Sequence, residues 1–432
     1  MSIQQNFPAI SPSLSLNFAR SKTLEPRITF TRTSTATRVN GQGLIEVVSA
    51  DTPRFDHSYD PVSGTVKSLG LLIEEQRVNS IRNNTMVGAV SGTSGTLPTY
   101  WSAITSTNGI TREVIGTGTE NGISYIDIKY SGTNTLGSNF YTDITFDTGT
   151  ISASQGQTWT LSCYIKLISG VFSGSAFSSV PKLILYGAPS FNDNSTVNID
   201  TITNQSLISQ RFTTTKTYAN ATTTSASTRI GFTIATGATI DFTIRIGMPQ
   251  LELGSFVTSV IPTSGSTATR NPDNVSMVGE NFSDWYNPSE FSLFANFKID
   301  APQQSFDTFV TIDDGTGSAK ITFYRGNLDS RIRLFSTNLG TITGTSNVES
   351  GLDSINKSAY AIAPNNTSIF LNGNLEVTNT VASNPIVSGS NTIRFGCDAG
   401  NGATPNTGRF ILSQLTYWNA RVANEKLQSV TS

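Results

Sequence analysis

The chain has 432 residues, a formal net charge of −2 and a charged fraction of only 13%, about half the usual share for a soluble protein. This balance excludes a basic nucleic-acid-binding stripe, which needs clustered Lys and Arg, while 24 Phe and 12 Tyr exclude a disordered chain. The length exceeds what one hydrophobic core usually serves, so two or three domains are expected.

Ser, Thr, Asn and Gly supply the polarity, which suits β structure: Thr favours strands, and Gly and Asn supply tight turns. No window approaches the ~20 apolar residues of a membrane span. The opening MSIQQNFPAISPSLSL lacks the basic start and apolar run of a signal peptide.

The first segment, to about residue 82, carries Arg20, Arg27, Arg32 and Arg38 among acidic and polar neighbours. Pairing within the segment, with Glu74 and Glu75 as partners, is the expectation. His57, the only histidine, is expected to order a turn beside Asp56 and Asp60. GLLIEEQRVN reads as a strand with Leu71, Ile73 and Glu75 on one face, because no cap flanks a helix there. A Gly/Ser/Thr-rich loop follows, NNTMVGAVSGTSGTLPTYW.

The middle segment, 83–270, contains SYIDIKY, WTLSCYIKL, PKLILYG, RIGFTIA and IDFTIRIGMPQLEL. In the last, Ile240, Phe242, Ile244 and Ile246 alternate with Asp241, Thr243 and Arg245, the period of a sheet buried on one side. Cys163 lies on the apolar face of its strand and Cys397 follows the face of Ile393 and Phe395. Both read as buried hydrophobes rather than a disulfide pair. The last segment, 271–432, repeats the alternation in FSLFANFKI. SIFLNGNLEV is a hairpin by its Asn372-Gly373 turn, and Asn424 is placed to cap a short terminal helix.

Three stretches carry a resemblance. Leu16–Asn79 (LNFARSKTLEPRITFTRTSTATRVNGQGLIEV, ADTPRFDH, SLGLLIEEQRVN), Pro249–Arg270, and the order of EFSLFANFKI, SIFLNGNLEV, NTIRFG and GRFILSQLTYWNARVANEKLQ resemble structural and tail proteins of tailed bacteriophages. The resemblance implies an all-β chain: a small β-rich attachment module (1–82), a β-sandwich like a carbohydrate-binding module (83–270), and a lectin-like sandwich of the concanavalin A/laminin G type (271–432). It also implies a virion protein made in the host cytoplasm and displayed as a tail fibre or tail-associated adhesin. Other virion proteins and host surface polysaccharide are its expected partners, with a homotrimer as its assembly. The alternative is a structural virion part, such as a head decoration, tail adaptor or fibre-attachment protein.

Candidate chemistry is sparse. No nucleophile elbow, zinc motif or phosphate-binding Gly loop appears. Lectin-like sandwiches include glucanases with alternating acids on one strand, and this chain has none, so the paired carboxylates of a glycosidase are missing. The chain is therefore expected not to be an enzyme, with no catalytic, cofactor or metal residues. Asp313-Asp314-Gly315 and Asn192-Asp193-Asn194 were weighed as calcium loops, but they supply few of the six to eight oxygens needed and read as turns. Tyr100, Trp101, Trp285 and Tyr286 are the glycan-stacking candidates. Core packing is the favoured reading of Trp101, and packed strand faces that of Trp159 and Trp418.

Overall fold

The computed structural model describes residues 10–21, 23–104, 107–299, 307–326, 329–349, 354–380, 384–397 and 409–432. The described chain is almost all antiparallel strand, as two β-sandwiches. The period-two alternation of the sequence has a direct outcome: in most strands one phase fills a core and the other faces outward, while strands such as Asp307–Asp313 are buried on both faces.

The middle sandwich packs a six-stranded sheet against a second one. In the first, the long strand Thr239–Leu253 lies between Thr158–Gly170 and Ile123–Thr133. Its Ile240, Phe242, Ile244 and Ile246 point into the core, where Phe172, Phe177, Phe232 and Phe242 meet at centroid distances of 4.6 to 6.1 Å. In the second sheet the order is Asn194–Asn198, Phe177–Ala188, Ser225–Ile234, Phe140–Thr145 and Ser102–Ala103. Cys163 and Cys397 are both buried and not joined in a disulfide, as expected for small hydrophobes.

The other sandwich draws on both ends of the chain. Its eight-stranded sheet holds Phe291–Ile299 and Arg409–Trp418, then adds Val66–Glu74 and Arg54–Tyr59 beside them, with Leu14–Asn17 also on Arg409–Trp418. Thr29–Thr31 joins the facing seven-stranded sheet through Asn274–Val278. Leu14, Leu16, Phe18, Phe55, Leu71 and Ile73 therefore share one core with Phe291, Phe297, Phe410 and Tyr417. A boundary near residue 82 exists in the sequence but not in the sheet, because the amino-terminal strands need these partners for their backbone groups. Gly70 allows the close approach: at φ +132°, a Cβ there would overlap the Leu412 carbonyl.

The middle sandwich is inserted between those two parts. Arg77–Asn79 on the way in pairs with Ala268–Arg270 on the way out. Above this stem lies a fully buried ionic cluster. Arg54 donates to Glu74 at 2.7 Å and to Asp273, Arg32 donates to Asp273 at 2.9 Å, and Arg270 lies 3.1 Å from Glu74, with side chains at 0% exposure throughout. Ser259 completes it, donating to Glu74 from its N–H (2.8 Å) and its hydroxyl (2.6 Å).

Several local expectations change. Arg38 and Arg27 do pair nearby, with Glu46 and Glu25. Glu74 instead serves Arg54 and Arg270, and Arg32 reaches Asp273, pairings 20 to 241 residues apart in the chain. His57 lies on a strand, its Nδ1 3.0 Å from the Val39 carbonyl, and Asp60 alone holds the turn through Val62 and Ser63. GLLIEEQRVN does form strand, and Asn372-Gly373 turns the hairpin with φ of 47° and 83°. The terminal helix is Asn424–Thr431, but Ala423 is its N-cap residue, with no side-chain cap bond. Asn424 instead accepts a hydrogen bond from Arg421 at 2.9 Å.

Candidate functional site

The sequence candidates for stacking fall inside the protein. Trp101 is 7% exposed, sets its edge on Phe146 at 5.0 Å and donates its indole N–H to the Asn83 carbonyl. Trp285 is 4% exposed and packs on Tyr417 at 4.8 Å. Tyr286 lies 4.6 Å from Phe282 against the same core, where burial raises its phenol above the ordinary range. Half-buried Tyr100 has the Arg82 guanidinium over its ring at 3.7 Å. The correction has one cause: a large ring next to a strand usually gains more from core burial than from water. Trp285 belongs to the core of the second sandwich, and Tyr286 packs against it. Trp159 and Trp418 are packed, as expected.

The acidic loops are likewise occupied. Asp313 is buried and binds Arg394 at 2.8 Å. Asp314 accepts the backbone N–H groups of Thr316, Gly317 and Ala319, a turn as read from the sequence. Among the described residues, no group of three or more His, Cys, Asp or Glu is placed to hold a metal ion.

The site that does combine aromatic and polar groups in the open lies on the outer face of the second sheet of the middle sandwich. Register places Lys182 opposite both Asn198 and Gly231, and Ile184 opposite both Thr196 and Arg229. Gly231 in turn lies opposite Asp143, and Thr233 opposite Tyr141. These are the outward residues of strands whose other phase (Leu183, Leu185, Ile230, Phe232, Ile144) fills the core. Together they enclose a trough of about 460 Å³.

Its floor is Gly231. A Cβ there would meet the Tyr141 hydroxyl at 2.7 Å and Ile184 Cδ1 at 2.9 Å, so glycine makes room for these two side chains to pack over it. Its wall is Phe191, 61% exposed, one face stacked on Tyr186 at 4.5 Å and 26°. Arg229 runs between them, 4.6 Å from the Tyr186 ring centroid and 5.1 Å from that of Phe191, donating to Asp143 at 2.6 Å and to the Tyr186 hydroxyl. Burial holds the Asp143 carboxyl above its ordinary range despite this partner. Lys182 has no carboxylate partner among the described residues and faces the trough.

The loop that carries Phe191 is anchored from behind. Buried Asp193 accepts the N–H groups of Ala219 (3.0 Å) and Asn220 (2.9 Å) and pairs with Lys216 at 2.7 Å. Burial alone would raise this carboxyl, but these donors outweigh it and lower it. The site is thus rigid behind and open in front, the form of a surface that binds a flat, hydroxylated ligand. The sequence held one clue that went unused: Phe191 is a lone aromatic among turn residues, PSFNDN, where no core strand calls for it.

No protein-family model and no curated protein matches the chain. Among solved structures, a CBM40 of the Ruminococcus gnavus IT-sialidase, bound to α2,3-sialyllactose, is similar at 14% identity and a TM-score of 0.29, covering 33% of this chain and 83% of that one. Domain 4 of a GH43 extracellular arabinanase from Geobacillus stearothermophilus, in complex with arabinotriose, is similar at 11% identity and a TM-score of 0.30, covering 41% and 81%. Trypanosoma rangeli sialidase is similar at 9% identity and a TM-score of 0.29 over 98% of this chain and 97% of that one. At such TM-scores none of these likenesses assigns a site or a ligand. The expectation that the chain is not an enzyme is withdrawn, because the sialidase likeness runs over nearly the whole chain; that likeness assigns no activity either.

Proposed function

We propose that the chain is a carbohydrate-binding protein and that the Phe191 trough of the middle sandwich is its glycan site. The observation that carries this reading is the exposed Phe191 ring, held beside Arg229 on the outward face of the sheet. A sugar ring lies on the free face of Phe191, while Lys182, Asn194, Thr196 and Tyr141 reach its hydroxyl groups from the strands around it. One aromatic contact is worth only about 0.5–1.5 kcal/mol beyond area burial, so a single site is weak. Display of several copies raises avidity by about 10²–10⁴, which fits a homotrimeric adhesin.

The finer reading rests on the sequence resemblance: a phage tail fibre or tail-associated adhesin that touches host surface polysaccharide, anchored to other virion proteins. Affinity electrophoresis of the full chain through host envelope polysaccharide tests the glycan site. Retardation that disappears in Phe191→Ala supports it, and unretarded wild-type protein refutes it. A second reading, a structural part of the virion, is favoured by one observation. The stretches that carry the resemblance supply the buried ionic junction, with Arg32, Arg54, Glu74 and Arg270 all inside the protein. Immunogold labelling of particles separates the two: distal fibres mean adhesin, and label flush with the capsid lattice means structural part.

A further inference from the structure

A larger cavity, about 510 Å³, lies where three parts of the chain meet: the 36–48 hairpin with the strand Arg54–Tyr59, the 205–211 turn of the middle sandwich, and Arg409 of the closing strand. Three arginines line it, and two have their charge answered. Arg38 pairs with Glu46 at 2.6 Å, and Arg409 pairs with Asp56. Arg211 has no carboxylate within ion-pair distance among the described residues. Its Nη1 donates to the Thr258 carbonyl at 2.8 Å and its Nη2 to the Ser162 hydroxyl at 3.0 Å, while its Nε is buried with no hydrogen-bond partner. A buried donor left unmade is costly, and a cation without a counter-charge in such a wall is more so. The remaining wall is mixed: Ile45, Leu69, Ile208 and Val260 are apolar, and His57 and Tyr59 are polar.

We propose that this cavity binds a small organic anion, a carboxylate-bearing molecule of sugar-acid size. Its carboxylate takes the open side of Arg211, and its body lies against Ile45, Leu69, Ile208 and Val260. The volume falls within the range of small-molecule sites, about 300–1,000 Å³. The guanidinium is held by two neutral oxygens and the Tyr164 ring, whose centroid lies 5.3 Å away, rather than by an internal carboxylate, which leaves its charge for a ligand. Because the wall draws on all three parts, the ligand also ties the inserted sandwich to the rest of the chain. This site is separate from the Phe191 trough and stands on different residues.

Isothermal titration and thermal unfolding of the full chain with D-glucuronate, D-glucose and inorganic phosphate test it. Glucuronate is expected to bind saturably and raise the unfolding temperature, with glucose at least about tenfold weaker, the scale of one hydrogen bond to a charged group. Arg211→Gln should lose at least that factor, while Phe191→Ala leaves glucuronate binding unchanged. If Arg211→Gln fails to fold, Ile208→Trp, which adds bulk to the cavity wall and leaves the guanidinium in place, must lose the binding instead. Absence of glucuronate binding at millimolar concentration, equal binding of glucose, binding of phosphate alone, loss of binding with Phe191→Ala, or retention of it in a folded variant of the cavity would each overturn the proposal.

Discussion

The buried junction and the Phe191 trough are built from the same kinds of side chain and do opposite things. At the junction three arginines, Glu74 and Asp273 have 0% side-chain exposure, and each carboxylate accepts from more than one donor. In the trough a single arginine meets a single carboxylate beside two rings, one of them mostly in water. The difference is closure. Strands from both ends of the chain and the exit of the insertion cover the junction, whereas among the described residues the outer face of the second sheet leaves Phe191 and Tyr141 exposed. Charge pairs become framework where the fold seals them and recognition surface where it leaves one side open.

The sharpest way to break the comparison is to remove the cover. Deleting residues 1–79 takes four strands out of the second sandwich and Arg32, Arg54 and Glu74 out of the junction. The carboxyl-terminal sandwich is then expected to lose its cooperative unfolding transition altogether. A normal transition by circular dichroism would show that those strands are an appendage. Next in size is Arg54→Met, which leaves Glu74 and Asp273 buried with fewer partners. The expected cost is about 3–5 kcal/mol in urea denaturation, and a cost below ~1 kcal/mol would mean the pair behaves like an exposed one.

Acid probes the same cluster. Burial by itself would raise Glu74, but the guanidinium groups of Arg270, Arg54 and Arg409 outweigh it and hold the carboxyl far below the ordinary range. A depressed folded pKa stabilises the protein above the unfolded value, about 4.3 for Glu. That stability is lost as pH falls below it towards the folded pKa. Glu75, raised mainly by burial, acts in the opposite sense and gives back part of the loss. The urea midpoint of wild type should therefore fall below about pH 4.3, and Glu74→Gln, weaker at neutral pH, should show a flatter acid limb. Parallel curves would remove Glu74 from the account.

The trough gives the smallest effects on stability and the clearest on binding. Phe191→Ala removes an exposed ring, so stability should stay within about 0.5 kcal/mol while polysaccharide retardation is lost. Gly231→Val should also abolish retardation, because its side chain displaces Tyr141 and Ile184 from the trough wall. A similarly small effect on stability is expected of Arg38→Ala, which breaks a pair left 26% and 34% exposed. It should cost no more than ~1 kcal/mol by thermal unfolding, an effect that high salt should reduce further.

Much of the fold was legible because its signals are local. Alternation in IDFTIRI and FSLFANFKI, the Asn372-Gly373 turn and the apolar setting of Cys163 each depend on neighbours a few residues away. Core packing, the favoured reading of Trp101, holds, whereas Trp285 and Tyr286 misled because an aromatic looks alike in sequence whether a core or a ligand covers it. Trp101 and Trp285 were covered from within by Phe146 and Tyr417, 45 and 132 residues distant in the chain. Arg32 and Glu74 are expected from sequence to pair within the first segment; Glu74 does meet Arg54 there, but Asp273 and Arg270, which pair with Arg32 and Glu74, follow the inserted strands in the chain.

By itself the sequence determined that this protein is all-β, with one buried and one outward phase in most strands, since side-chain alternation is a property of the extended backbone. Only the tertiary structure decided which outward faces were then sealed and which stayed in water. That choice rests on pairings between strands far apart in the chain, and no local pattern records it.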